Sequence, residues 1–207
     1  MPVAKLAASL LQVSKLFVTF ECIDSAGMYP DIEQILNTDS SRAIADLAIN
    51  AIGNEPALFE KAWELMLRDE YPLSMRAARV VDECAERYPL LMEPFLPVLG
   101  ERLAAFKVEG VKRGMLRFLS RAKVRLSTSL RGRLTETCFD WLSSASVSTA
   151  VRFYSMDILF RLSRKEPSIR NELCCVLEDG ISRMIFGNAA KPKRYVKTLS
   201  KELYASI

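Results

Sequence analysis

The sequence contains no histidine, and this absence excludes several common catalytic and metal-binding arrangements. Ser-His-Asp and Cys-His nucleophile systems, zinc sites with histidine ligands and the His-Glu-x-x-His protease motif all need an imidazole. A glycine-rich phosphate loop is also missing. Enzymes can work with carboxylates and lysines alone, but the acidic pairs lie where helix surfaces or corners would place them. These pairs are Asp69-Glu70, Asp82-Glu83 and Glu178-Asp179. We therefore expect a protein that is not an enzyme, with no catalytic residue, metal site, cofactor or small-molecule substrate.

Paired cysteines are also lacking, because the five cysteines are odd in number and show no paired spacing. Neither a disulfide framework nor a four-cysteine zinc site is indicated. Cys84 falls on an apolar helix stripe and is expected in the core. Cys174 and Cys175 would diverge by about 100° on a helix, which makes them a poor metal pair. A reducing, cytoplasmic setting fits this cysteine usage best.

No apolar run reaches the length of a transmembrane helix, so we expect no membrane partner. The first 27 residues are apolar, but Lys15 interrupts them, and Glu21 and Asp24 stand where a signal peptide would be cleaved. We expect residues 1–27 to be an extension or a start-site artefact that forms a loosely attached helix. Residues 28–207 are then expected to form a single repeat domain.

A helical motif led by arginine occurs four times in the chain. It opens at Arg42, Arg76, Arg113 and Arg152, at intervals of 34, 37 and 39 residues, and a second helix-like stretch follows each copy. Repeats of this length indicate stacked helical hairpins. Few glycines and no alternating β-branched runs point the same way. The predicted fold is an all-α superhelix, a short solenoid of about four hairpins, with a basic helix near residues 193–205 at its end.

The repeat resembles HEAT-like repeats, which have two helices per unit, a proline near a hairpin corner and an arginine early in the first helix. The resemblance covers roughly residues 40–186. It extends to a group of small bacterial HEAT-like proteins to which no activity is attached. The shared segments are Ser74-Met75-Arg76-Ala77-Ala78, Tyr88-Pro89-Leu90-Leu91-Met92-Glu93-Pro94-Phe95-Leu96 and Val111-Lys112-Arg113-Gly114-Met115-Leu116-Arg117. The resemblance implies that the repeated arginines form a structural ladder and that the second helices line a concave wall for a partner.

Charge is distributed unevenly along the chain. Residues 20–101 carry a net charge of −10, whereas residues 102–207 carry +12. Within residues 102–133, ten cations stand against Glu109 alone, and Arg113, Arg117 and Arg121 share one helix face. The cations are either solvated or paired groups of the scaffold, or a surface that binds a partner or a polyanion. The candidate binding residues are Arg113, Arg117, Arg121, Lys123, Arg125, Arg131, Arg133, Lys193 and Arg194.

Two functions remain open. The first is a non-catalytic interaction module or scaffold that binds a protein partner or associates with itself. The opposite net charges of the two halves of the chain would also suit head-to-tail self-association. The alternative is a nucleic-acid-binding protein that uses the basic regions 102–133 and 191–201. HEAT-like DNA glycosylases, which act on alkylated bases, are similar in size and basicity. They imply an aromatic and an acidic residue on one face, but Asp140 and Trp141 are adjacent and would not share one.

Overall fold

The computed structural model describes residues 30–121 and 124–204, and this part of the chain is all-α. It contains ten α-helices and four short 3-10 helices, and no β-strand lies in the described ranges. The prediction of an all-α fold built from repeated helical hairpins is confirmed. The α-helices are α1 (Ile32–Thr38), α2 (Arg42–Ile52), α3 (Pro56–Leu67), α4 (Leu73–Arg87), α5 (Leu96–Arg102), α6 (Glu109–Arg121), α7 (Thr128–Ser143), α8 (Thr149–Ser163), α9 (Arg170–Ser182) and α10 (Ala190–Tyr204).

The helices belong to two compact units, one ending at Leu91 and the other beginning at Met92. Unit 1 contains α1–α4, and unit 2 contains α5–α10. The single-domain organisation of residues 28–207 stays a prediction, and residues 1–27 lie outside the described residues. Within the described ranges, no helix combines the length and the apolar character that crossing a membrane requires.

Local capping chemistry explains where the helices of unit 1 begin and end. The Ser41 hydroxyl accepts a hydrogen bond from the Ile44 amide at the start of α2. Gly53, at φ +50°, ends that helix in a backbone conformation that glycine adopts without strain. Pro56 occupies the first turn of α3, where its missing N–H costs nothing. The sequence, with Pro56 in the first turn, predicts a helix over roughly residues 56–68, and the structure has it at Pro56–Leu67.

The pairing of helices differs from the sequence-based expectation. The sequence pairs each Arg-led helix with the helix that follows it. In unit 1, however, α3 packs more extensively on α4 than on α2, and in unit 2 α7 packs most extensively on α8. The Arg-led helices α4 and α8 are thus most closely packed on the helix that precedes each of them, whereas α6 packs mainly on α8. Hydrophobic periodicity predicts the apolar face of a helix but not which neighbour covers it.

The segment before α6 is less regular than predicted. The sequence predicts a helix from about Pro94 to Phe106, but only Leu96–Arg102 is α-helical. Three 3-10 helices surround it: Pro89–Leu91, Glu93–Phe95 and Leu103–Ala105. Pro94 and Pro97 cannot donate a backbone hydrogen bond, so the chain here forms short pieces instead of one continuous helix.

Unit 2 has two sets of helices, which we call first and second helices. The first helices are α6, α8 and α10, and α8 contacts both of the others. The second helices α7 and α9 contact each other. Residues later in α8 contact residues later in α6 and α10. At the start of α8, Ser148 contacts Glu109, and near its end Arg161 contacts Ser120. Asp157 and Phe160 likewise reach residues 191 and 195. The three first helices therefore run parallel, with α8 between α6 and α10.

Candidate binding surface

Three of the four repeated arginines have structural roles. Arg76 donates from Nη1 to the Leu36 carbonyl at 2.7 Å, in the last turn of α1, and from Nε to the Ser40 hydroxyl at 2.8 Å. Arg42 pairs with Asp46 at 2.9 Å and with Glu83 at 3.1 Å.

Arg152 joins two segments of unit 2, because its Nη1 donates to the Ile185 carbonyl at 2.7 Å and its Nη2 to the Val147 carbonyl at 2.9 Å. Arg42, Arg76 and Arg152 thus hold helices and connections together, as expected for a structural ladder.

A further structural arginine, Arg161, was missed by sequence reasoning. It donates to the carbonyls of Leu119 and Ser120, the latter at 3.0 Å, in the last turn of α6. A cation at a helix C-terminus satisfies free carbonyls and complements the helix dipole. Burial lowers the pKa of this guanidinium. The signal in the sequence is an arginine at the repeat position where the other copies have Ala51, Ala85 and Ala122.

Arg113 differs from the other repeated arginines. Its side chain is exposed on α6 and has no hydrogen-bond or ion-pair partner among residues 30–121 and 124–204. Arg117 and Arg121 follow it at i+4 and i+8 on the same face. Both of these have interactions within the chain, and Arg121 Nε donates to the Arg117 carbonyl at 3.4 Å. The first helix α6 therefore presents three arginines in a row, of which Arg113 is unpaired.

The same spacing of cations recurs on α10. Lys193, Lys197 and Lys201 stand at i, i+4 and i+8, and all three are exposed. Within the part of the chain that the structure describes, none of them has a partner. Arg194, beside them, lies over the Tyr195 ring with its guanidinium 5.6 Å from the ring centroid. Lys197 and Lys201 were predicted only as part of the basic region 191–201 and not as individual binding residues, although their spacing repeats that of the three arginines on α6.

Helix α10 packs on α9, and side-chain contacts also join it to α8. Asp157 accepts hydrogen bonds from Lys191 Nζ at 2.6 Å and from the Tyr195 hydroxyl at 3.0 Å. The Phe160 and Tyr195 rings stack with centroids 3.8 Å apart. Burial and the neighbouring Asp157 carboxylate raise the pKa of Tyr195. These contacts use the face of α10 opposite its lysine stripe, so the lysines remain directed to solvent.

Charge in unit 2 is segregated between the two sets of helices. The first helices α6, α8 and α10 carry eleven cationic and three anionic side chains. The second helices α7 and α9 carry three cationic and five anionic side chains. We call the surface formed by α6, α8 and α10 the basic layer. Like charges at i, i+4 repel on an isolated helix, so these stripes destabilise their helices slightly unless an anion binds them.

The remaining predicted residues divide into three groups. Arg131 donates to Glu166 at 2.8 Å and to the Leu126 carbonyl at 3.2 Å, so its role is structural. Arg133, also on α7, lies 3.9 Å from Glu101. Arg125 is exposed between α6 and α7 and has no partner within the described ranges. Lys123 lies outside the described residues. The predicted residues thus do not form one cluster. Those on the first helices lie on α6 and α10.

The side chains whose chemistry could serve catalysis either lie in the core or do not face one another. Burial raises the pKa of the Cys84 and Cys138 thiols to about 12, so neither is a thiolate nucleophile at neutral pH. Trp141 is buried, with Lys112 Nζ 5.7 Å from its ring centroid, whereas Asp140 is exposed. The aromatic and acidic pair that a glycosylase-like site would require is therefore not assembled. Among the described residues, no group of three or more potential ligands could hold a metal ion.

These features define an α-helical repeat protein in which three of the four repeated arginines join neighbouring helices and connections within each unit. A model of the HEAT repeat domain matches residues 32–185, which is most of the chain. The protein belongs to the HEAT repeat family. HEAT repeats typically mediate protein interactions and serve as scaffolds. No curated protein and no solved structure matches the chain.

Proposed function

We propose that this chain is a non-catalytic interaction module and that its binding face is the basic layer of unit 2, which the first helices form, and not the second helices that the resemblance implied. The proposal is supported most by the two stripes of cations on α6 and α10. Arg113, Lys193, Lys197 and Lys201 are exposed, and no group in the described ranges neutralises them. Such an arrangement is most stable when a partner supplies the negative charge.

A comparison with unit 1 shows that this is not a general property of the chain. The arginines of unit 1 are engaged: Arg42 and Arg79 pair with Glu83, and Arg68 pairs with Glu33. Arg87 donates to the side-chain oxygen of Asn50 at 3.4 Å. Among the residues that the structure describes, exposed cations without partners therefore occur only in unit 2, which supports a role for them other than support of the fold.

The partner is a negatively charged macromolecule. An acidic protein surface, including the acidic part of a second copy of this chain, and a nucleic acid both meet this description. HEAT repeats typically mediate protein interactions, so the family relationship is compatible with a protein partner but does not select between the two.

Retention on immobilised heparin, a generic polyanion, tests the binding face. The test variant is Arg113→Glu/Lys197→Glu, which reverses one cation on each stripe. The matched control is Arg102→Glu/Lys165→Glu, because these exposed cations lie outside the three first helices and have no partner in the described residues. Both variants change the net charge equally. We expect the test variant to elute at clearly lower salt than the control, and equal elution of the two would refute the assignment of the face.

A further inference from the structure

We infer that the ligand of the basic layer is the phosphate backbone of a nucleic-acid duplex, bound without regard to base sequence. This inference rests on the proposed function, because it names the partner of the same face. Its support comes from the geometry of the two stripes, the chemistry of their side chains and the charge of the opposite helices.

The dimensions of the layer fit an extended ligand and not a single anion. Each stripe spans eight residues, which corresponds to about 12 Å along a helix. Since α8 lies between α6 and α10, the two stripes are separated by at least the width of one helix, about 10–12 Å with its side chains. Duplex DNA presents one charge per about 1.7 Å of its axis, so each stripe would face several phosphates. Two stripes at this separation can contact both strands of a duplex, whereas a single strand would follow only one of them.

The side chains on the layer are of the kind that binds phosphate and not bases. Lysine binds phosphate as a mobile point charge, and arginine offers planar, bidentate hydrogen bonds. Arg113, Lys193, Lys197 and Lys201 all stand on the outer faces of regular helices that lie side by side. Three parallel helices side by side offer no single helix that projects into a groove. The contacts therefore carry little sequence information.

Binding energetics favour a nucleic acid over an acidic protein. Exposed ion pairs between folded proteins contribute little, because both partners are well solvated and screened by salt. A nucleic acid instead releases condensed counterions for each phosphate that a cation neutralises. The same four exposed cations therefore gain more from a duplex than from scattered carboxylates. The second helices α7 and α9 carry an excess of carboxylates and would repel the same ligand, which assigns it to the first helices.

Fluorescence anisotropy with a labelled DNA duplex across a salt series tests the inference. Four phosphate contacts predict a slope of about −3.6 for log K against log salt, so affinity should fall roughly 100-fold between about 50 and 200 mM salt. The variant Arg113→Glu/Lys197→Glu should flatten the slope by about 2, whereas Arg102→Glu/Lys165→Glu should leave it within about 0.5 of the parent. Two duplexes of unrelated sequence should bind equally, and both should bind more tightly than a single strand of the same length.

Other outcomes separate this inference from the proposed function. Poly-glutamate that binds as tightly as the duplex at the same salt would overturn it and make the layer a site for acidic proteins. Salt-sensitive self-association in sedimentation, without duplex binding, would overturn it in favour of a second copy of the chain. With either result, the proposal that the basic layer is the binding face would still stand if heparin retention depends on Arg113 and Lys197. Heparin retention that is equal in both variants, together with no duplex binding, would overturn the binding face as well.

Discussion

The same substitution at two helical glycines should change stability in opposite directions. Gly132 lies in α7, and a Cβ atom there would have no other atom within 4 Å. Gly132→Ala removes only the conformational freedom of glycine, so it should stabilise unit 2 by about 0.5–1 kcal/mol. Gly180 lies in α9, where a Cβ atom would come within 2.4 Å of Phe186 Cε2 and 2.7 Å of Cζ.

The Phe186 ring cannot move away freely. It is 2% exposed and contacts Phe153 edge-on, with centroids 6.4 Å apart. Overpacking of this kind costs about 1–3 kcal/mol, which exceeds the gain in helix propensity. Gly180→Ala should therefore destabilise unit 2 by about 0.5–2 kcal/mol, and the two variants should differ by about 1–3 kcal/mol.

Urea unfolding followed by tryptophan fluorescence measures both effects. The chain has two tryptophans, Trp63 in unit 1 and Trp141 in unit 2. A Trp63→Phe background makes Trp141 the reporter of unit 2. With an m-value of about 1–3 kcal/mol per molar urea, a difference of 1 kcal/mol moves the midpoint by about 0.3–1 M. The reasoning is refuted if Gly180→Ala is as stable as Gly132→Ala with an unchanged m-value.

Two further predictions concern the charges and thiols that hold the fold. Arg161→Met should lower the free energy of unfolding by about 2–4 kcal/mol, because it leaves two α6 carbonyls without their charged donor. The control Arg164→Met should lower it by only about 0.5–1 kcal/mol. Equal losses for the two variants in urea unfolding would contradict the capping role of Arg161. Because burial raises the pKa of Cys84 and Cys138 from 9.0 to about 12, the folded state keeps protons that the unfolded state releases above pH 9. The free energy of unfolding should then fall by about 1.4 kcal/mol per pH unit for each thiol, and a Cys84→Ala/Cys138→Ala variant with the same fall would contradict this.

Local features of the fold could be predicted because their causes are local. The sequence predicts Ser127 or Thr128 as the cap of α7, and in the structure the Ser127 hydroxyl accepts a hydrogen bond from the Leu130 amide. The predicted start of the fourth Arg-led helix near residue 148 agrees with Ser148 as the N-cap of α8. Such signals depend on residues within three positions of one another, so the sequence alone contains them.

Features that depend on tertiary contacts could be predicted only in part. The arginine stripe on α6 follows from spacing within one helix. The position of α10 beside α8 depends on contacts of Tyr195 with Asp157 and Phe160, which lie more than thirty residues before it along the chain. Arg131 resembled its basic neighbours in sequence but is paired with Glu166, a residue that only the fold brings near. Charge composition thus indicated that the candidate binding surface lies in the C-terminal half of the chain. Which side chains form that surface could be seen only in the structure.

Lysine footprinting with and without a DNA duplex tests the basic layer most directly. Acetylation at low salt, with modified peptides quantified by mass spectrometry, reports the accessibility of each lysine. Lys193, Lys197 and Lys201 should be protected by the duplex, whereas Lys165, which is exposed outside the three first helices, should react equally in both states. Protection of Lys165 with unchanged reactivity of the three α10 lysines would contradict the assignment of the binding face.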